Sequence, residues 1–248
     1  MPLVETEAVV LRTYRLGETD KIASLLTRDL GRCRTAASGA QRTKSRFGSS
    51  LEPLSYIRVW IFERENRDLQ RLNSAEVIES FFGIQSDYRI QVATQYLAEA
   101  TEGFLPEREV NERVFRLLLA VLRSLKTSGE ITRPLVYFNY WLLRLGGFLP
   151  ELDRCGACRR PLAGAGAFYG PGSEALLCQD CRHPAAQIEI SAGTLGIADG
   201  LRGIRLDEWL GRQKAPAGAK QLRRFFEEVI QTQLERKLVT RELLADEV

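Results

Sequence analysis

The sequence predicts an α+β multidomain protein: an N-terminal OB-fold β-barrel, an α-helical domain and an inserted zinc-ribbon-like module. Three observations lead there. Short runs of alternating apolar and polar residues fill the first 80 or so positions, helical spacing dominates afterwards, and two C-x2-C pairs interrupt the helical part. The chain has 248 residues, 44% of them hydrophobic, with 35 basic against 32 acidic side chains, which excludes a disordered polyelectrolyte.

The strands come first. Glu7–Arg12 and Lys21–Leu26 flank Leu16–Asp20, which has turn chemistry; Asp29-Leu30-Gly31 closes the second run. Arg32–Ala37 alternates as a third strand, and Tyr56–Phe62 is the strongest, being aromatic and β-branched. Leu69–Leu72 completes five. Five short strands fit a small OB-type barrel, and on counting alone an SH3-like barrel fits almost as well.

After Ala75 the segments 76–82, 88–105, 107–128 and 132–146 carry apolar residues at helical spacing. The clearest stripe is Val114, Leu117, Leu118, Val121, Leu122 and Leu125. Pro106 marks an expected helix start and Gly129 a stop. Residues 192–200 and 220–237 are expected to be helical again, with Leu222, Phe225, Phe226, Val229, Ile230 and Leu234 on one face. The most apolar stretch, Leu135–Leu149, is broken by Asn139 and Arg144 and falls short of the roughly 20 apolar residues that span a bilayer. Acids near the N-terminus and the lack of an apolar run after them argue against a secretory signal, so a cytosolic chain with reduced thiols is expected.

Cys155-Gly156-Ala157-Cys158 and Cys178-Gln179-Asp180-Cys181 form C-x2-C…C-x2-C with 19 residues between the pairs. Two residues between thiolates let a tight turn aim both sulfurs at one ion, and four thiolates close a tetrahedron with no open position. The expected cofactor is therefore one structural Zn2+, with Cys155, Cys158, Cys178 and Cys181 as ligands. Arg154, Arg159, Arg160 and Arg182 are expected to offset its net −2, and His183 to be a bystander. Cys33 reads as a small buried side chain, and Gly164–Gly170 as a hairpin turn rather than a phosphate cradle.

The net charge of +3 conceals two basic islands. Arg28–Arg46 holds six bases and one acid, and Arg212–Arg224 five bases and no acid, which leaves −7 on the rest of the chain. Such islands suit a polyanion. Arg34, Arg42, Lys44 and Arg46 are the candidate phosphate contacts along one face of the barrel. Tyr14 or Phe47 is a candidate stacking platform, with a core plug the preferred reading of Phe47. Lys220, Arg223 and Arg224 form a candidate partner-binding rim on an amphipathic helix, and a solvated helix face is the alternative. The sequence carries no G-x-x-x-x-G-K-[ST], H-E-x-x-H or G-x-S-x-G, and its single histidine leaves little for acid–base catalysis, so no enzymatic activity is expected. A zinc-ribbon adaptor for transcription or RNA handling and a carboxylate-dependent nuclease stay open as alternatives on these residues.

Several motifs in order resemble the RecO recombination-mediator family of bacteria: V-L-R (Val10–Arg12), G-E-T-D-K-I (Gly17–Ile22), S-G-A-Q-R-T-K-S-R-F-G (Ser38–Gly48) and L-E-P (Leu51–Pro53). A-E-V-I-E (Ala75–Glu79), G-F-L-P (Gly147–Pro150) and the C-G-x-C opening continue the likeness. The resemblance implies an OB-fold DNA-binding domain over residues 1–80, a helical domain in two segments, 81–150 and 185–248, and a zinc-binding module over 151–184. It further implies binding of single- and double-stranded DNA, annealing of complementary strands, and work with RecR in loading RecA onto DNA coated by single-strand-binding protein. The acidic C-terminal tail of that protein is implied to dock on the helical domain. The setting implied is cytoplasmic and nucleoid-associated.

Overall fold

The computed structural model describes residues 2–64, 67–83, 87–170, 174–183, 188–212 and 214–245. The chain divides into two compact units, Met1–Thr127 and Ser128–Asp246. The expected end of the cysteine module, Pro184, lies outside the described residues.

The first unit is built on a closed barrel of β1 (Leu3–Leu16), β2 (Asp20–Thr27), β3 (Arg32–Ala37), β4 (Tyr56–Phe62) and β5 (Leu69–Glu79), in the order β1-β2-β3-β5-β4. β1 serves two partners: its first half pairs with β4 and its second with β2, and a bulge between Val10 and Arg12 supplies the bend. The parallel pairing of Arg34–Ala36 with Leu69–Arg71 joins β3 to β5 and decides for the OB-type barrel. Alternation fills the interior with Ala8, Val10, Ala23, Leu25, Cys33, Ile57, Val59, Ile61 and Leu72. Burial pushes the Cys33 thiol up to about 12, which leaves it an inert core group.

Two expectations fail here. Residues 76–82 do not open a helix: β5 continues to Glu79, with Ala75, Glu76 and Val77 registered against Val59, Arg58 and Ile57. β4 has ladder groups to satisfy along its whole length, and this outweighs a short helical spacing in a β-branched stretch. Pro106 does not start a helix either. Glu107 bridges to Arg32 in parallel and the Arg108 N–H donates to the Arg32 carbonyl at 2.8 Å. The helix begins at Glu112, six residues after Pro106, where the Asn111 side chain accepts from the Val114 N–H at 3.1 Å. Helices α1 (Tyr88–Phe104) and α2 (Glu112–Ser128) otherwise match their expected spans.

The second unit contains α3 (Thr132–Gly146), the cysteine segment, the short strands β6 (Ala167–Tyr169) and β7 (Ile188–Ile190), and helices α4 (Ala192–Gly200), α5 (Leu206–Gly211), α6 (Ala219–Leu234) and α7 (Val239–Ala245). Its core joins α3 to α6, with the Tyr140 and Phe226 rings 5.9 Å apart, and β6 to α6 through Tyr169 and Phe225 at 5.2 Å. Trp209 of α5 is buried and donates to the Arg133 carbonyl at 3.0 Å. α6 ends at Leu234 rather than 237, where Glu235 turns left-handed (φ 50°). Among the described residues no helix is long and apolar enough to cross a membrane.

Candidate metal centre and nucleic-acid interface

The two C-x2-C turns meet. The Sγ atoms of Cys155, Cys158, Cys178 and Cys181 all lie within 4.8 Å of one another, and the Cys158 and Cys178 sulfurs are 3.7 Å apart. Tetrahedral zinc thiolates with bonds of about 2.3 Å place sulfurs about 3.8 Å apart, so the Cys158–Cys178 pair already has that spacing and the whole donor set lies within about 1 Å of it. Gly156 lets the two segments approach closely: a Cβ there would stand 2.3 Å from the Cβ of Ala175. The Cys155 sulfur accepts from the Cys178 N–H at 3.4 Å. Burial raises the Cys155 thiol, but the backbone amides of Cys158, Cys178 and Ala157 outweigh it and bring the pKa to about 6. Hydrogen bonds to Cys158 and Cys178 hold the proton on Cys181, up to about 12. The four sulfurs can hold a metal ion, which would displace the proton kept on Cys181.

The flanking arginines are only partly as expected. Arg159 pairs with Glu151 and Arg160 with Asp180, so each first answers a carboxylate. Arg160 also feels the Cys158 and Cys178 sulfurs, and Arg182 lies over the Phe168 ring at 5.2 Å. His183 is not one of the clustered ligands.

The first basic island separates into two halves. Arg28 reaches Glu7 and Glu112 at 2.9 and 3.0 Å, and Arg32 and Arg34 share Glu107 at 3.3 and 3.0 Å. Arg34 is therefore half-offset, unlike the other three candidates. Arg42, Lys44 and Arg46 are exposed and form no ion pair among the described residues. They sit between β3 and β4 on successive turns, marked by Arg42 N–H to Gly39 O, Ser45 N–H to Arg42 O and Gly48 N–H to Ser45 O. Phe47, 3% exposed, plugs the barrel with Leu51, so it is a core residue and no stacking platform. Arg46 covers its ring at 5.0 Å.

The segment holding these cations is tied to the tip of the β1–β2 hairpin. The Gln41 N–H donates to the Thr19 carbonyl at 2.9 Å, and the Gln41 side-chain amide to the Asp20 carbonyl at 2.7 Å. The Gly39 N–H donates to Asp20 Oδ1 at 2.8 Å. The Gly39 amide, then the Thr19 and Ser38 hydroxyls and the Arg42 charge, hold the Asp20 carboxyl below its usual range against the opposing effect of desolvation. On the same hairpin Arg15 and Lys21 face each other in register, next to the pair Tyr14 and Ile22. Like charges directly opposite cost stability unless an anion relieves them. Arg15 and Lys21 lie on the hairpin to which the 39–41 segment is tied, and sequence reasoning missed them because neither lies in a basic run; their flanking of one tight turn was the available signal. Tyr14, one position before Arg15 on the strand, is 47% exposed.

The second island also divides. Lys220 and Arg224 are exposed on α6, but Arg223 is buried, 1% exposed, and lies 3.2 Å from Glu227 one turn on. A rim residue it is not: the α6 register turns it inward with the apolar stripe. Arg241 of α7 approaches Glu227 at 3.7 Å and bonds Glu228 at 2.7 Å, latching α7 to α6. Burial pushes the Glu227 carboxyl up to about 7 against the pull of Arg223, Arg241 and Arg224.

These features define a class: an OB-type barrel protein with an exposed cationic end, carrying a helical unit with a four-thiolate centre. Comparison with known proteins narrows it. Residues 1–81 match the family described as recombination protein O N terminal, and residues 85–242 the one described as recombination protein O C terminal. A Koribacter versatilis protein named DNA repair protein RecO is 38% identical over 238 residues, 96% of each chain. A protein of the same name from a Nocardioides species is 38% identical over 189 residues, 74% of this chain and 76% of its own. Another from Anaeromyxobacter is 28% identical over 249 residues, 100% of this chain and 98% of its own. The chain belongs to the RecO family of DNA repair proteins.

Proposed function

We propose that this protein is a non-enzymatic recombination mediator. It binds single- and double-stranded DNA, anneals complementary strands and, with RecR, helps load RecA onto DNA covered by single-strand-binding protein. The observation that carries the DNA-binding part is the set of cations that form no ion pair among the described residues, Arg15, Lys21, Arg42, Lys44 and Arg46, on a hairpin and a loop tied to each other. Phosphate contacts suit annealing, because they are sequence-independent and let bases search for partners. Arg34 belongs at the edge of this surface, and Tyr14 replaces Phe47 as the side chain on which a base stacks. The four cysteines hold one structural Zn2+. Lys220 and Arg224, rather than Arg223, offer the basic rim to the acidic tail of single-strand-binding protein. The protein acts in the cytoplasm, at the nucleoid.

The test is annealing of complementary oligonucleotides with and without the protein, beside gel shifts on DNA and RNA of equal length. Accelerated annealing with DNA binding supports the reading. Preference for RNA, or metal-dependent strand cleavage, overturns it.

A further inference from the structure

The motif Gly17–Ile22 holds two acids, Glu18 and Asp20, and of these Asp20 is bonded into the surface proposed to bind DNA. A carboxylate among phosphate-binding cations opposes a polyanion, so its presence there calls for another role. Asp20 opens β2, registered against Leu16 at the hairpin tip. Its Oδ1 accepts from the Gly39 N–H and from the Thr19 hydroxyl, both at 2.8 Å, and its backbone carbonyl takes the Gln41 side chain. Gly39 is left-handed (φ 75°), and the turn it starts is closed by the Arg42 N–H on its carbonyl at 3.1 Å. The Arg42 stem passes 3.6 Å from where a Gly39 Cβ would stand.

The connection between β3 and β4, residues 38–55, is long for a loop without regular structure, and such loops usually sample many conformations. Here it has two anchors. Phe47, Leu51 and Leu54 bury one part of it, and residues 39–41 are pinned to the hairpin at the other. Arg42, Lys44 and Arg46 lie in the short span between them. We infer that Asp20 is a positioning residue for polyanion binding: its carboxylate clamps the start of this span onto the β1–β2 hairpin, so that Arg42, Lys44 and Arg46 are presented together with Arg15 and Lys21. The inference rests on the reading of this end of the barrel as the DNA surface. Fixing the span before contact removes an ordering cost that binding would otherwise carry.

The clamp makes a prediction opposite in sign to simple electrostatics. Asp20→Ala raises the net charge by one, which alone tightens DNA binding; loss of the clamp weakens it. Glu18→Ala on the same turn makes the identical charge change, and Glu18 is exposed with no hydrogen bond or ion pair among the described residues. Affinity of the full-length protein for a labelled oligo-dT is measured by fluorescence anisotropy across salt, with thermal melts of each variant. Expected are equal or tighter binding for Glu18→Ala and about tenfold weaker binding with a flatter salt slope for Asp20→Ala. Asp20→Asn, which keeps an acceptor for the Gly39 N–H, lies between. Asp20→Ala binding as tightly as Glu18→Ala overturns the inference. If Asp20→Ala does not fold, the same comparison is read from Asp20→Asn: weaker than Glu18→Ala supports the clamp, equal or tighter rejects it. Arg42→Ala/Lys44→Ala/Arg46→Ala separates the two levels, because wild-type affinity in that variant rejects the DNA surface itself, whereas its loss beside tight binding by Asp20→Ala rejects only the clamp.

Discussion

Replacing Arg42, Lys44 and Arg46 together by alanine removes three of the five barrel-end cations that form no ion pair among the described residues, the other two being Arg15 and Lys21. Each phosphate neutralised on single-stranded DNA releases counterions and contributes about −0.7 to the slope of log K against log salt. Five contacts give a slope of about −3.5, and the triple variant, with two left, about −1.4. Counterion release fades towards 1 M salt, so the two lines converge there and stand about two decades apart at 0.1 M. The expected loss is thus about 100-fold, or about 2.7 kcal/mol, at that salt. Anisotropy titrations of a labelled oligonucleotide from 0.05 to 0.5 M salt read slope and offset together. Arg34→Ala serves as a contrast: its guanidinium already answers Glu107 at 3.0 Å, so it should change the slope by less than one contact. A triple variant whose line runs parallel to the wild type, or an Arg34→Ala that matches the triple, refutes the division of the island into paired and unpaired halves.

Other perturbations address the remaining sites. Tyr14→Ala should weaken single-strand binding by about 1–3 kcal/mol while Tyr14→Phe keeps it, as expected of a stacking platform; equal loss in both variants argues for the hydroxyl instead. Gly156→Ala forces a Cβ to within 2.3 Å of Ala175. It should cost about 1–3 kcal/mol in unfolding free energy and lower bound metal below one ion per chain, read by metal analysis and thermal melts. Chelation of the wild type should reproduce that lower melting point, and an unchanged melt rejects a structural ion. Glu227 is raised from 4.5 in the unfolded chain to about 7, so its contribution to stability is fully present below pH 4.5 and lost as pH rises through 7. The loss amounts to about 3 kcal/mol, and Glu227→Gln should flatten it in urea unfolding compared at pH 5 and 8.

What the sequence makes legible here is whatever is set by neighbours along the chain. β4 is visible because aromatic and β-branched residues alternate over Tyr56–Phe62, and the metal centre because the C-x2-C spacing itself shapes each turn. The second half of β5 is not visible. Its strand character comes from β4, whose residues Ile57 and Val59 take it as a partner. The same holds for charge. Nothing local distinguishes Arg34 from Arg42, since the Glu107 that offsets Arg34 arrives from a segment beyond α1. Arg223 differs from Arg224 only by the face of α6 on which the helical register places it.

The polarity of the barrel follows from where its helices deliver carboxylates. Glu99 and Glu102 of α1 meet Arg12, Glu107 of the following connection meets Arg32 and Arg34, and Glu112 of α2 meets Arg28. Four barrel arginines are thereby answered by one stretch of chain that follows the barrel in sequence. The β1–β2 hairpin tip and the 38–46 segment lie outside its reach among these pairs and keep their charge. At physiological salt, charges separated by more than about 8 Å are largely screened, so a DNA strand responds to this local excess rather than to a net charge of +3 spread over 248 residues. One end of the barrel is therefore cationic because no carboxylate from the following helices pairs with its bases among the described residues; of the two acids on its hairpin, Glu18 is exposed and Asp20 is engaged by the loop it holds.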